Sequence, residues 1–513
     1  MSQDRNGKYT RALIRSVIVI VVFFMGTPLV WPGNPPRSQL TFDEFKVQIT
    51  DAYQHGNTQK IRQLSTSHVD FLRPLVDELV RDCFRSDLQT QGKKAEDLLS
   101  FARAIAKLKK EITRDNLLVN RVNRYRSWSL PERMLKSEAD RLLTAAARAF
   151  NEGLYGEVAA PGKKALDLYG RLSDTAGEAD TLHYLGQAER KLANYDEAVK
   201  MHDRALQLAK KDHDRTGQGQ ALVDLGDVYE RRKDHAKAIE SYERALASLS
   251  PEEDWREMGR ALCQLGDIYV ASGDFGAAHE SYSRALQFAE KGRDPVYIAR
   301  FSDYLGYFYR QLGDYDKAIE IHKEALENAG RIADAAMRAQ ARARALNHLG
   351  LCTEKLAEWS STDKGSRPKA TLYRDAIAYE RQALEYAVEI NDRWRQGYIM
   401  RALSQLHREL GAVLPDGEKL PQYQLSLEWA DRALELASSS MGEKEWTGLA
   451  LNHTFLAQAA LRRDEECLQT FQRSVALWES MGDLLSMGRA YHLLAQSFYE
   501  PRSRYEDALA AYD

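Results

Sequence analysis

A twelve-residue segment that recurs along most of the chain is the feature that most limits how this sequence can fold. The clear copies begin at Tyr195, His235, Phe275, Tyr315, Tyr373 and Tyr423, and degenerate copies begin at Tyr155, Asp464 and Tyr505. The first four clear copies are 40 residues apart. A period held over this many copies indicates one structural unit stacked repeatedly. The repeat therefore favours one long array over the three or four domains that a length of 513 residues alone suggests.

A Leu-Gly pair precedes each copy. The pairs are Leu185-Gly186, Leu225-Gly226, Leu265-Gly266, Leu305-Gly306 and Leu349-Gly350, and they drift to Leu403-Ser404, Leu456-Ala457 and Leu494-Ala495. We expect the leucine to pack inward and the glycine to let a neighbouring helix approach closely. Within the segment, alanines seven apart such as Ala198 and Ala205 share a helix face, and the bulky residue between them, here His202, fills the gap. Each unit is predicted to hold two helices of about 15–18 residues.

Turn and capping residues support this division of the unit. The predicted turns are Ala193-Asn194, Lys233-Asp234, Gly273-Asp274 and Gly313-Asp314. Glycine suits the end of one helix, and aspartate or asparagine suits the N-cap of the next. A second aspartate recurs at Asp174, Asp214, Asp254 and Asp294, where it is predicted to cap the first helix of each unit.

Together these residues resemble the tetratricopeptide repeat (TPR). The resemblance covers about residues 140–513 in some nine units, the last of them truncated. It implies an all-α fold, a right-handed α-solenoid of antiparallel helix pairs. The 40-residue unit, against about 34 residues in the usual repeat, is similar to arrays of spindle-orientation (Pins-type) adaptors, kinesin light chains and bacterial proteins with CHAT (caspase-like) peptidase domains. Pro161-Gly162 is predicted to interrupt a helix, and Ala357 to Leu372 and Gly411 to Gln422 are predicted to be loops.

The resemblance implies that the first helices line a concave groove that binds a protein or peptide partner. The positions that it assigns to the groove are His183, Gln187, Arg190, Asp227, Arg260, Asp267, Arg300, Asp303, Tyr307, Arg310, Arg344, Asn347, Arg401, Gln405 and Arg408. Such side chains can hold a peptide backbone or its carboxylates. Arginine outnumbers acid among them, so a partner segment with acidic groups is expected.

The amino terminus has the pattern of a membrane anchor. Residues 1–15 form a basic tail, predicted to be cytoplasmic, and residues 16–36 contain no charge. Because no A-x-A site follows the apolar run, we favour a single transmembrane helix over a cleaved signal. Residues 37–139 read as a helical lead-in or cap. The array would then lie outside the cytoplasm, in the periplasm, or be secreted if cleavage occurs.

Composition and motifs argue against chemistry within this chain. The 72 basic and 75 acidic residues nearly balance, which excludes a generally basic nucleic-acid-binding protein. Phosphate-loop, HExxH, GxSxG and metal-spaced motifs are absent, so no enzyme activity, cofactor, metal or small-molecule substrate is expected. The last copy, Tyr505 to Asp513, stops nine residues into the segment. This favours a longer natural chain. We expect a membrane-anchored scaffold for protein partners, and the alternative is that the array is the sensor or regulatory part of a larger chain with an effector such as a CHAT peptidase.

Overall fold

A computed structural model describes residues 40, 42–85, 92–113, 116–360, 367–441, 444–504, 507 and 511. Within this described part the regular structure is helical and strands are absent, so the all-α prediction is confirmed. No helix there is long and apolar enough to cross a membrane. The predicted basic tail (1–15) and anchor (16–36) lie outside the described residues.

The first compact unit comprises the described residues up to Cys83 together with those within Lys93–Arg126. Its helices are α1 (Phe42–Gln54), α2 (Thr58–Ser67), α3 (Leu72–Arg85), α4 (Gly92–Thr113) and α5 (Leu117–Ser127). Aromatic contacts hold part of its core. Phe45 and Phe71 lie 5.4 Å apart, and Tyr53 stacks on Phe101 at 4.1 Å between ring centroids.

The second unit, which includes residues 127–513, is a row of antiparallel helix pairs. The first helices of the pairs are α6 (Leu130–Asn151), α8 (Thr175–Lys191), α10 (Arg215–Arg231), α12 (Trp255–Ser272), α14 (Pro295–Gln311), α16 (Ala335–Trp359), α18 (Arg393–Val413), α20 (Lys444–Ala460) and α22 (Leu484–Leu494). The second helices are α7 (Ala159–Arg171), α9 (Tyr195–Lys211), α11 (His235–Ser248), α13 (Phe275–Gly292), α15 (Tyr315–Gly330), α17 (Lys369–Glu389), α19 (Asp416–Leu436) and α21 (Asp464–Met481). Consecutive helices pack on each other, which is the packing expected of a solenoid.

Within a pair, the eighth residue of the repeated segment packs directly on the glycine of the preceding helix. We call this the glycine contact. A Cβ atom added to Gly226 would lie 2.5 Å from the ring of Tyr242, and one added to Gly186 would lie 2.6 Å from His202. Gly266 with Tyr282, Gly306 with His322 and Gly350 with Glu380 repeat the arrangement. The predicted reason for the Leu-Gly pair is therefore confirmed: any side chain there would push the two helices apart.

The predicted aspartate caps are also present. Asp214 accepts a hydrogen bond from the backbone N–H of Gly217 at 2.9 Å, and Asp294 accepts one from Val296 at 3.0 Å. Asp174 and Asp254 occupy the same N-cap position without such a bond. Asp254 instead accepts hydrogen bonds from the Ser250 backbone and from the Thr216 hydroxyl, and so joins two units.

Two predicted interruptions of the helices are wrong. Pro161 lies in the first turn of α7, where its missing N–H breaks no hydrogen bond. The expected loop from Gly411 to Gln422 is largely helical, because only Leu414 and Pro415 separate α18 from α19. A Cβ atom on Gly411 would lie 2.5 Å from Tyr423, so this glycine allows close packing rather than ending a helix. In the other expected loop, α16 runs to Trp359 and α17 begins at Lys369, with 361–366 outside the described residues.

We predict that Gly226→Ala lowers the free energy of unfolding by about 1–3 kcal/mol, because the added methyl group overpacks the contact with Tyr242. Gly170→Ala in α7 is the matched control. Its Cβ atom meets nothing within 4 Å, so the helix should gain stability by up to about 1 kcal/mol. Urea denaturation followed by circular dichroism measures both. Equal effects of the two substitutions would contradict the proposed role of the glycine contact.

Candidate functional site

A groove of about 1020 Å³ runs along the array, and every residue that lines it belongs to a first helix. Five consecutive first helices, α8, α10, α12, α14 and α16, contribute to its walls. In most of the array each first helix also packs on the first helix of the next pair. Side chains from neighbouring units are thereby brought together on one face, as the resemblance implied.

The structure divides the fifteen predicted groove residues into two sets. Eight of them line the groove, namely Arg190, Asp227, Arg260, Asp267, Arg300, Asp303, Tyr307 and Arg344. The other seven, His183, Gln187, Arg310, Asn347, Arg401, Gln405 and Arg408, lie on first helices outside its lining.

A buried carboxylate, Asp224, connects three successive pairs. His183 Nδ1 lies 2.6 Å from one of its oxygens, and Gln187 donates a hydrogen bond to the other at 2.8 Å. Arg260 donates to Asp224 at 2.6 Å and to Asp227 at 2.9 Å. Burial alone would raise the pKa of Asp224, but His183 and Arg260 outweigh it and hold this pKa far below its usual range. Four residues that were predicted to line the groove therefore join neighbouring units to one another, namely His183, Gln187, Asp227 and Arg260.

A second ionic contact joins α14 to α16. Arg344 donates to Asp303 at 2.5 Å, and His322 Nδ1 lies 3.4 Å from the other carboxylate oxygen. His348 stacks on His322 with 4.9 Å between ring centroids. Burial, reinforced by the Arg344 charge, lowers the pKa of His348 to about 3, so this imidazole is neutral at physiological pH.

Two amides predicted to face a ligand are also used within the framework. Asn347 donates to both carboxyl oxygens of the buried Glu380, at 3.0 and 2.9 Å. Gln405 donates to Glu354 at 2.6 Å. Burial raises the pKa of Glu380 well above its usual range and that of Glu354 to about 7.

Several cations on this face have no carboxylate partner among the described residues. Arg190, Lys191 and Arg300 line the groove, and Arg310 and Arg401 lie beyond it. Four of them, Lys191, Arg300, Arg310 and Arg401, lie over aromatic rings. The guanidinium carbon is 5.4 Å from the Tyr297 ring for Arg300, and 4.8 Å from the Tyr307 ring for Arg310.

The acids that line the groove offset these cations only in part. Burial raises the pKa of Asp267, which accepts a hydrogen bond from the Tyr282 hydroxyl at 2.6 Å, to about 6. Burial also raises the pKa of Glu257. Seven basic and five acidic residues line the groove. An anionic group is therefore the ligand that its unpaired arginines can bind.

One side of the groove, which we call the aromatic wall (Tyr297, Phe301 and Tyr304), was not predicted from the sequence. Tyr297, Phe301 and Tyr304 follow one another on α14 at intervals of four and three residues, and all three line the groove. Such spacing places them along one face of a helix. The signal was present in the sequence, because Tyr297 and Phe301 stand at positions that the preceding units fill with small or polar residues.

The described part of the chain gives no evidence for a metal site or for a reactive thiol. Groups of histidine, cysteine, aspartate and glutamate that could hold a metal ion are absent there. The cysteines Cys83, Cys263, Cys352 and Cys467 are buried.

Comparison with known families matches this geometry to a repeat type. One tetratricopeptide-repeat model matches residues 177–250 and 218–291, and another matches 305–335. The chain therefore contains tetratricopeptide repeats within residues 177–291 and 305–335. A search of curated proteins found no match. The similarity to CHAT-associated arrays is not tested by these matches and stays a prediction.

Solved structures resemble this chain at low sequence identity. The apo form of RapI is 13% identical with a TM-score of 0.50, over 73% of this chain and 95% of that one. A signal transduction ATPase with a tetratricopeptide repeat sensor from Pyrococcus horikoshii is 12% identical with a TM-score of 0.49, over 92% and 72%. The quorum sensor NprR from B. thuringiensis is 14% identical with a TM-score of 0.47, over 74% and 96%. At 13% identity, the likeness to RapI indicates a shared fold alone.

We predict that Asp224→Asn lowers the free energy of unfolding by about 3–5 kcal/mol, because it removes the buried charge that His183 and Arg260 share and leaves Arg260 with Asp227 alone. Thermal unfolding measures the effect. The control is Asp167→Asn on the exposed surface of α7, which should change stability by less than about 0.5 kcal/mol. An equally small loss for Asp224→Asn would show that this carboxylate does not hold the units together.

We predict that Glu380→Gln makes the array less sensitive to rising pH. Because the folded protein keeps the Glu380 proton and the unfolded chain releases it, stability should fall as pH rises above about 4.5 toward the raised pKa. The slope is about 1.4 kcal/mol per pH unit for one proton. Denaturation at a series of pH values measures how the free energy of unfolding changes with pH. This contribution to the change should be lost in Glu380→Gln. It should be kept in the control Glu385→Gln, which changes an exposed residue of the same helix. An unchanged slope in Glu380→Gln would contradict a buried neutral acid.

Proposed function

We propose that this TPR protein is a scaffold that captures an acidic segment of a protein partner on its first-helix face. The observation that carries the proposal is the groove itself, which is lined by five first helices and holds arginines without carboxylate partners. An extended segment with acidic side chains would supply the missing partners, and the aromatic wall of α14 would pack against its apolar parts.

The pairing of charges decides which arginines can serve a partner. Arg260 and Arg344 already hold Asp224, Asp227 and Asp303, so their loss would strand buried carboxylates. Arg300 makes no such pair in the described part of the chain and lines the groove. We therefore assign partner capture to Arg300 and its unpaired neighbours, and framework stability to Arg260 and Arg344.

We further propose that the array is tethered to a membrane by residues 16–36 and lies outside the cytoplasm. The support is the uncharged run of these residues behind the basic segment 1–15. Amino-terminal sequencing of the mature protein tests the proposal. A start at Met1 or Ser2 is expected, and a start within residues 27–37 would overturn it in favour of a secreted array.

We predict that Arg300→Glu weakens capture of acidic peptides by about tenfold or more, because it replaces an unpaired cation by a like charge. Displayed random twelve-residue peptides are selected on the full chain, and the affinities of the recovered peptides are measured by fluorescence anisotropy. The selected sequences should be enriched in aspartate and glutamate.

Lys323→Glu is the control, since it makes a similar reversal on the exposed surface of α15 in the same pair. It should leave peptide affinity unchanged, and circular dichroism should show native helicity for both variants. Recovered peptides without acidic enrichment, or equal affinities for the wild-type protein and Arg300→Glu, would overturn the groove as the capture site.

A further inference from the structure

An exposed group of aromatic rings lies on the first-helix face beyond the groove. Trp394 and Tyr398 are four residues apart on α18, with ring centroids 5.8 Å apart and planes inclined by 6°. Trp446 of α20 meets Trp394 edge-on at 5.3 Å. Trp394 is 51% exposed, which is unusual for the largest apolar side chain.

Arg401 completes this group, which we call the aromatic–arginine cluster (Trp394, Tyr398, Arg401 and Trp446). It is seven residues after Trp394 and so lies on the same face of α18. Its guanidinium carbon is 4.7 Å from the Trp446 ring and 5.7 Å from the Tyr398 ring. Its Nε atom is buried without a hydrogen-bond partner, and it makes no ion pair with a carboxylate in the described part of the chain.

Among the described residues, the charge of Arg401 is offset only from beyond ion-pair distance, by Glu445 at the start of α20. Arg408 lies two turns further along α18 and Arg310 approaches from α14, so that Arg310 and Arg401 both act on Tyr398. His453 lies close to Arg401 and Arg408, and burial together with these cations lowers its pKa to about 3. A buried donor without an acceptor is costly, and an anion is the group that would satisfy it.

The cluster is not part of the repeated framework. The residues of other first helices at the position of Trp394 are Ala176, Thr216, Arg256, Val296, Gln340 and Thr447. Those at the position of Arg401 are His183, Val223, Cys263, Asp303, Asn347 and Thr454. Since the other pairs fold without this combination, its residues are free to serve recognition.

We propose that the aromatic–arginine cluster binds an aromatic side chain that adjoins a carboxylate in the partner's acidic segment. The aromatic ring packs on the exposed face of Trp394, and the carboxylate accepts hydrogen bonds from Arg401. Offset and edge-to-face ring packing favours an aromatic occupant over an aliphatic one, and the unpaired guanidinium favours an acidic neighbour over an amide. The inference rests on the proposed function, of which it supplies a second anchor point.

Three blocked tripeptides test the cluster directly on the full chain by titration calorimetry. They are N-acetyl-Glu-Phe-Glu amide, N-acetyl-Glu-Leu-Glu amide and N-acetyl-Gln-Phe-Gln amide. The first should bind at least about threefold more tightly than the leucine peptide and about tenfold more tightly than the glutamine peptide. A wild-type protein that does not distinguish the three peptides would overturn the proposal.

Substitutions then show which residue causes the preference for phenylalanine over leucine and which causes the preference for glutamate over glutamine. Trp394→Ala should abolish the preference for phenylalanine over leucine and keep that for glutamate, and Arg401→Gln should do the reverse. The controls are Trp359→Ala, at another exposed tryptophan, and Arg284→Gln, at an exposed arginine of α13. Both should keep both preferences. Preferences that persist in Trp394→Ala and Arg401→Gln would place the binding elsewhere and overturn the proposal.

Arg300→Glu separates this inference from the proposed function. It should retain the tripeptide preferences, because Arg300 lies on the groove and outside the cluster. If selected acidic peptides ignore Arg300 while the tripeptides depend on Trp394 and Arg401, the groove assignment fails and the cluster stands. If the tripeptides show no dependence on the cluster while acidic peptides depend on Arg300, the cluster alone is overturned.

Discussion

The glycine contact is the interaction on which the rest of the array depends. It brings the two helices of a pair close enough for the residue that packs on the glycine to reach through to the first-helix face. Tyr242 thereby donates its hydroxyl to Asp227 at 2.8 Å, and Tyr282 donates to Asp267 at 2.6 Å. Where that residue is Glu380, its carboxyl group accepts from Asn347 instead. The packing between the two helices of a pair therefore decides where polar groups lie on the first-helix face.

Arginines on the first-helix face differ in whether they contact one of these polar groups. An arginine that meets a carboxylate held by the neighbouring unit, as Arg260 meets Asp224, becomes part of the framework. Arg300 meets no such carboxylate among the described residues, lies over the Tyr297 ring and keeps its hydrogen-bonding edge available. Arginine thus stabilises the array at one position and is available to bind a partner at another.

Much of the fold was predictable because its causes are local or repeat with the period. The spacing of leucine, glycine and alanine predicted the helix pairs, and the recurring aspartates predicted the helix starts. The prediction of a loop at Gly411 to Gln422 failed because proline and glycine were read from composition alone. Gly411 faces Tyr423, and Pro415 stands just before a helix, so tertiary packing reversed the local expectation.

The sequence by itself determined the repeating unit, its two helices, its caps and the face that carries polar residues, because each follows from spacing within about one period. Only the tertiary structure decided which of those polar residues are already paired. Arg344 lies 41 residues from Asp303, and Arg260 lies 36 residues from Asp224. Such contacts form between stacked units, and their existence depends on how one helix pair is set against the next. The physical reason is that a charge is available for binding only when no neighbour neutralises it, and neighbours across the stack are fixed by packing.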